Sequence, residues 1–255
     1  MGRVVFIGAG PGAADLITLR GARVLAQAEV VLFDALTDPA LRAFAPDANW
    51  VHVGKRGFAD STGQATINAL LVRHAREAGL VVRLKGGDPS VFGRLEEELE
   101  ALAAAGIACE VVPGVTAALA AAAETRRPLT RRGTGRSVTL STAMTREGAL
   151  QVGTKGHHAD TEVFYMAGRQ LAALAKRLRK AGWAADTPVS VVSRAGWPDA
   201  LASAHSLATL GQATVLHSGR PTVVTVGAGA AAVSRMRSES PLLEAGQEPE
   251  ETLSA

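Results

Sequence analysis

The chain is poor in the residues that staple, stack or span. It has one cysteine in 255 residues, so no disulfide framework can form within it. Aromatic residues are 4% of the total, which removes the usual stacking platform for single-stranded nucleic acid. The longest apolar runs, such as VTAALAAAA from Val115, fall far short of the roughly 20 residues that cross a bilayer. No charged segment followed by a long apolar stretch opens the chain, so no signal peptide is read and a soluble, cytoplasmic protein with no membrane partner is expected. No internal repeat is visible. His157-His158 has neither a cysteine nor a spaced carboxylate to complete a ligand set and reads as a pair of loop histidines, so no metal is expected.

Hydrophobic residues make up 47% and charged residues 20% of the chain, the balance of a globular protein with one large domain or two small ones. The net charge of +3 is modest, so charge has to be read locally. Its dense spot is TRRPLTRRGTGR, with Arg126, Arg127, Arg131, Arg132 and Arg136. Gly and Pro interrupt the run, so it is no continuous recognition helix. A solvated loop and a site for a carboxylate-rich small ligand both fit it better than nucleic acid does.

The first half alternates strand and helix. Strands are expected at Val4–Ile7, Glu29–Asp34, Asn49–Gly54, Leu80–Gly86 and Cys109–Gly114. Helices are expected at Leu16–Ala28, with Asp15 near its start, at Gly63–Gly79, and at Val91–Ala105. Cys109, between apolar neighbours, is expected to be buried. The alternation implies a mostly parallel sheet covered on both faces. Pro113-Gly114 is the best hinge, giving an N-terminal domain at 1–113. Beyond it, strands at Arg136–Thr142, Thr161–Gly168, Asp186–Gly196 and in the segments SAHSLATL and RPTVVTVGAG, with one helix in RQLAALAKRLRKAG, predict a smaller α/β domain with a mixed sheet at 114–237. The acidic stretch 238–255 reads as a disordered tail.

Two glycine loops carry the chemistry. Gly8-x-Gly10-x-x-Ala13 satisfies a dinucleotide fingerprint, and Asp34 ends the second strand where a ribose-binding acid would sit. Pro11 speaks against a phosphate ligand. Such loops aim backbone N–H groups at phosphate oxygens, and proline removes one of them. A ligand without phosphate loses little by this, and a tight turn that binds nothing loses nothing. The second loop, Gly86-Gly87-Asp88-Pro89, follows another strand, and ligands of open parallel sheets sit outside the carboxyl ends of the strands. The two loops are therefore expected to border one cleft.

GAGPG, VGKR, LKGGDPxxFGR, EVVPGVTAA and PLTxRG, in that order and at these spacings over about residues 3 to 230, resemble the S-adenosylmethionine-dependent tetrapyrrole methyltransferases. The resemblance implies two α/β domains with S-adenosyl-L-methionine folded into the cleft between them, in a homodimer. It places Pro11, Gly86, Gly87, Asp88, Val91, Thr116, Ala117, Met166 and Ala195 at the methyl donor. It makes Asp34 a general base and Lys55 an acid, and turns Arg94, Glu97 and Arg132 toward the macrocycle. The implied substrate is uroporphyrinogen III, whose eight carboxylates suit planar guanidinium groups, methylated twice to precorrin-2 on the way to sirohaem or cobalamin. Four departures fall on the substrate side. They are Ala35 after the aspartate, Arg131 in place of a histidine, a missing histidine in LSTAMT, and Leu95 and Glu96 in place of glycines. A methyltransferase of a later precorrin, an NAD(P)-dependent oxidoreductase and a non-catalytic tetrapyrrole-binding protein remain as alternatives.

Overall fold

In the computed structural model, which describes residues 2–54, 63–143 and 159–233, the aliphatic runs of the first half pair into one parallel sheet. Its strands are β1 (Arg3–Gly8), β2 (Val30–Phe33), β3 (Asn49–His52), β4 (Leu80–Lys85) and β5 (Cys109–Val112), in the order β3-β2-β4-β1-β5. The period-two alternation of strand side chains splits β1 between two cores. Val4 and Phe6 pack with Leu71 of α2 (Gln64–Glu77) and Leu102 of α3 (Leu95–Ala104). Val5 and Ile7 pack with Leu25 of α1 (Leu19–Leu25) and with Leu41.

The second half forms a separate sheet from β6 (Val138–Thr142), β7 (Thr161–Tyr165), β8 (Pro188–Ser193), β9 (Leu201–Ser206) and β10 (Thr222–Gly227), in the order β6-β7-β10-β8-β9. Only β6 and β7 are parallel; the other pairings are antiparallel. This is the mixed sheet expected from strands with little helix between them. The apolar run beginning at Val115 supplies helix α4 (Ala117–Glu124), whose Ala118 and Ala121 pack on Val163, Tyr165, Val192 and Val223. Helix α5 (Leu171–Ala181) covers the other face with Leu171, Leu174 and Leu178, and the short α6 (Thr214–His217) precedes β10. No helix among the described residues is long and apolar enough to cross a membrane.

Three local expectations are corrected. The helix expected at Val91–Ala105 begins only at Leu95, because Phe92 (φ 52°) and Arg94 (φ 54°) are left-handed and break the turn before it. The helix expected at Leu16 begins at Leu19. There Thr18, not Asp15, is the cap, its hydroxyl accepting from the Gly21 N–H at 3.1 Å as short polar side chains do at this position. Cys109 is exposed rather than buried, because β5 is an edge strand paired only with β1. Lys55, His157-His158 and the 238–255 tail lie outside the described residues.

Candidate active site

The loops after β1 and β4 do more than border a cleft; they pair with each other. Gly87 N–H donates to the Gly10 carbonyl at 2.7 Å and Gly10 N–H donates back to the Gly87 carbonyl at 3.3 Å. Gly8, Gly87 and Gly114 then meet backbone to backbone. A Cβ on Gly8 would lie 2.5 Å from the Gly114 Cα and 2.8 Å from the Gly87 oxygen, so no other residue fits there without displacing main chain. Gly10 (φ +80°) and Gly87 (φ +72°) also occupy the left-handed region that glycine enters without a side-chain penalty.

This pairing occupies several of the donors that the first loop could offer a ligand. The Ala9 N–H goes to the Lys85 carbonyl at 2.8 Å, Gly10 N–H to Gly87, and Ala13 N–H to the Gly196 carbonyl at 2.7 Å, while Pro11 has no N–H. A phosphate-binding nest needs converging free N–H groups, and here three of the loop's donors are already used and a fourth position has none. Asp88 is similarly committed. Its two oxygens accept from Ser90 N–H and Gly114 N–H, both at 2.8 Å, so its carboxylate holds the loop in shape.

Above the paired loops lies a cavity of about 210 Å³. Pro11, Gly86, Gly87, Asp88, Val91, Thr116, Ala117, Met166 and Ala195 all line it, so the nine residues named for the donor come together from six separate stretches of sequence. The two halves of the chain close it. The Thr116 and Tyr165 hydroxyls are 2.8 Å apart, and the rings of Phe92 and Tyr165 tilt against each other at 5.1 Å. Burial raises the Tyr165 phenol above its ordinary value, which keeps it neutral in this contact. Met166, at φ 58° and half-exposed, is held in a conformation costly for a side chain with a Cβ, at the cavity wall.

Sequence reasoning missed Leu36, Phe92, Tyr165, Arg194, Trp197, Thr222 and Val223 in this lining. Tyr165 is the only tyrosine in the chain and directly precedes Met166, which was a usable signal. Phe92 was hidden by the helix assigned over it. Arg194 stacks on Trp197, 4.4 Å from the ring centroid, and reaches Asp199 at 2.7 Å; nothing in their spacing marks that pair.

A second cavity, about 890 Å³, adjoins the first through Trp197, which lines both. Asp34, Ala35, Asp38, Arg42, Trp50 and His52 are on its walls. Asp34 leaves β2 here with its side chain 28% exposed, and its Oδ1 accepts from Arg83 at 2.7 Å. It caps no helix. Arg42 stands over Phe33 and Trp50, 5.3 and 5.5 Å from their centroids, a preorganised cation at the rim.

The other substrate-side residues are not gathered with Asp34. Arg94 and Glu97 form a fork-to-fork pair with each other at 2.8 and 2.7 Å on the exposed start of α3. Arg132 is exposed in the tight turn where Arg131 and Gly135 bond reciprocally. Neither cavity is lined by any of these three. Arg131, one of the four departures, donates to the Ala231 carbonyl and so serves the fold.

The geometry agrees with the known proteins that the chain resembles. The family model for tetrapyrrole (corrin/porphyrin) methylases matches residues 3–211. A uroporphyrinogen-III C-methyltransferase of Pseudomonas aeruginosa is 45% identical over 195 residues, which are 76% of this chain and 80% of that protein. A siroheme synthase of Neisseria meningitidis serogroup C is 44% identical over 214 residues, 83% of this chain but 45% of that one, so the chain spans less than half of its length. Among solved structures, the uroporphyrin-III C-methyl transferase from Thermus thermophilus complexed with S-adenyl homocysteine superposes with a TM-score of 0.78 at 36% identity, covering 89% of this chain and 98% of that one. On its sequence, its two-sheet architecture and the paired glycine loops between them, this chain belongs to the tetrapyrrole methylases.

Proposed function

We propose that the protein is an S-adenosylmethionine-dependent C-methyltransferase that converts uroporphyrinogen III to precorrin-2 by two successive methylations. The observation that carries the reading is the convergence of the nine positions named for the donor on one cavity, beside a loop whose Ala9, Gly10 and Ala13 N–H groups are already bonded and whose Pro11 has none. That cavity suits a nucleoside with a sulfonium and no phosphate. Its walls are largely apolar, with Thr116, Tyr165 and Thr222 as neutral polar groups, and a close-packed glycine floor admits the ligand against the backbone.

Bound there, S-adenosyl-L-methionine supplies an electrophilic methyl group to an electron-rich pyrrole carbon. The chain's own task is to fix that carbon, since proximity and orientation supply roughly 7–11 kcal/mol of a barrier. Asp34, on the wall of the larger cavity, accepts the proton that the carbon sheds, and Lys55 serves as the acid. Arg94, Glu97 and Arg132 meet the macrocycle's periphery. For this, Arg94 and Glu97 exchange their mutual pair for substrate carboxylates and pyrrole N–H groups. A homodimer in the cytoplasm, free of metal, membrane and nucleic acid, completes the reading.

Calorimetric titration with S-adenosylhomocysteine and with NADPH, followed by a methylation assay on uroporphyrinogen III, tests it. Binding of the homocysteine nucleoside with formation of the dimethylated product is expected. Binding without turnover would move the substrate to a later precorrin, and binding of NADPH alone would overturn the donor assignment.

A further inference from the structure

Strands inside a parallel sheet are usually aliphatic throughout, yet β4 carries two cations beneath the cleft. Arg83 and Lys85, two residues apart, share one face of the strand, with exposures of 2% and 3%. Glu98 of α3, fully buried, lies between them. It accepts from Arg83 Nε on Oε1 at 3.2 Å and from Lys85 Nζ on Oε2 at 2.7 Å, while Gln64 of α2 donates to Oε1 at 3.3 Å. The Arg83 guanidinium is held from two further sides. Nη1 donates to the Leu84 carbonyl at 3.1 Å, and Nη2 donates to Asp34 at 2.7 Å.

Two cations and two carboxylates thus form one chain from α3 to the cavity wall. Stability alone is a weak reason for it, since well-packed apolar groups often serve a fold as well as a buried ion pair does. Its members differ in one respect. Arg83, Lys85 and Glu98 are sealed from solvent, and only Asp34 reaches a cavity. Burial and the Arg83 charge push the Lys85 ammonium below its ordinary range, and Glu98 opposes that shift. Without Glu98, the Arg83 guanidinium would have Asp34 as its only carboxylate partner.

We propose that Glu98 is a positioning residue for Asp34: through the Arg83 guanidinium that both carboxylates share, it fixes Asp34 at the cavity wall and takes up part of the positive charge that would otherwise oppose proton transfer to it. The inference rests on Asp34 being the base.

The test is a double-mutant cycle on the full chain, with S-adenosylmethionine and uroporphyrinogen III as substrates. Asp34→Ala is expected to lower kcat by roughly 10²–10⁴-fold, the usual worth of a positioned base. Glu98→Gln is expected to lower kcat by about tenfold or more, yet leave S-adenosylhomocysteine affinity and the uroporphyrinogen KM within about twofold. In the Asp34→Ala background, adding Glu98→Gln is expected to change kcat by less than about twofold, because its partner is gone. Arg83→Lys keeps the charge but loses the shared fork, and gives the same kcat-selective loss that vanishes without Asp34; it serves equally if Glu98→Gln does not fold. Equal losses from Glu98→Gln in both backgrounds, or a parallel loss of homocysteine-nucleoside affinity, overturn the role of Glu98 while Asp34 stands. A chain without methylation activity, or an Asp34→Ala chain at the wild-type rate, overturns the base assignment and the Glu98 role with it.

Discussion

Buried charge is concentrated in one half of the molecule. The parallel-sheet half buries Arg83, Lys85 and Glu98, beside Thr37 and His74. Beneath the mixed sheet, among the described residues, lie hydroxyls and an imidazole: Thr161, Ser190, Ser193, His217, Thr222 and Thr225. Arg83, Lys85 and Glu98 connect through Asp34 to the larger cavity, and Ser193 and His217 connect through Thr222 to the smaller one. In the proposed reaction, the charged network stands where a proton moves and the neutral one where the methyl donor is held. The same contrast sets how each half fails when its network is cut.

The largest effect is expected in the charged half. Glu98→Ala leaves Arg83 and Lys85 buried and facing each other, and breaking a buried pair in this way costs about 3–5 kcal/mol. Urea denaturation measures it; a loss under about 1 kcal/mol would mean that water reaches the network. The cost also depends on pH. Lys85 has a lowered pKa in the folded state, so the unfolded chain binds more protons below the ordinary lysine value and stability rises with pH there. Losing Glu98 removes what opposes that lowering, so the penalty shrinks as pH is raised toward 10.

A smaller loss is expected in the neutral half. Ser193 lies 2.5 Å from His217 Nδ1 and 3.0 Å from the Thr222 hydroxyl. Ser193→Ala leaves a buried group without its partner at a cost of about 1–3 kcal/mol, read by the same denaturation. If the two substitutions cost the same, the distinction between a charged and a neutral half has no energetic content.

How legible these features were depended on whether backbone or side chains imposed them. The paired loops were readable because glycine and proline carry backbone constraints: Gly8 has no room for a Cβ, and Pro11 has no N–H to offer. The strands were readable from their aliphatic runs, apart from the edge position that exposes Cys109. Glu98 was not readable. It sits in LEEELEAL among acidic neighbours that look like a solvated face, and only the delayed start of α3, forced by left-handed Phe92 and Arg94, decides which glutamate turns inward. The Arg94–Glu97 pair was hidden for a similar reason, since spacing brings the two side chains into reach without saying whether they hold a ligand or each other.

The smallest effect concerns pH and sharpens the comparison at its other end. Thr222 Oγ1 donates to the Arg220 carbonyl at 2.8 Å, so it accepts from Ser193. Ser193 in turn accepts from His217 Nδ1–H, and Nε2 of the same ring accepts from Ser203 at 2.8 Å. This network assigns a neutral imidazole whose two nitrogens are both engaged. Burial, followed by the charges of His205 and Arg220, lowers its pKa from 6.5. As pH falls through that ordinary value, the unfolded chain takes up the proton first, and stability declines until the folded imidazole also titrates. The thermal midpoint is therefore expected to drop between about pH 7.5 and pH 5.5, and His217→Gln to flatten that slope. His74 of the first half and His205 are lowered mainly by burial as well and share the sign. An unchanged slope in His217→Gln would assign the acid sensitivity to them and leave His217 without a part in it. A flattened slope would show that the neutral half weakens on the acid side, while Lys85 makes the charged half gain stability on the alkaline side.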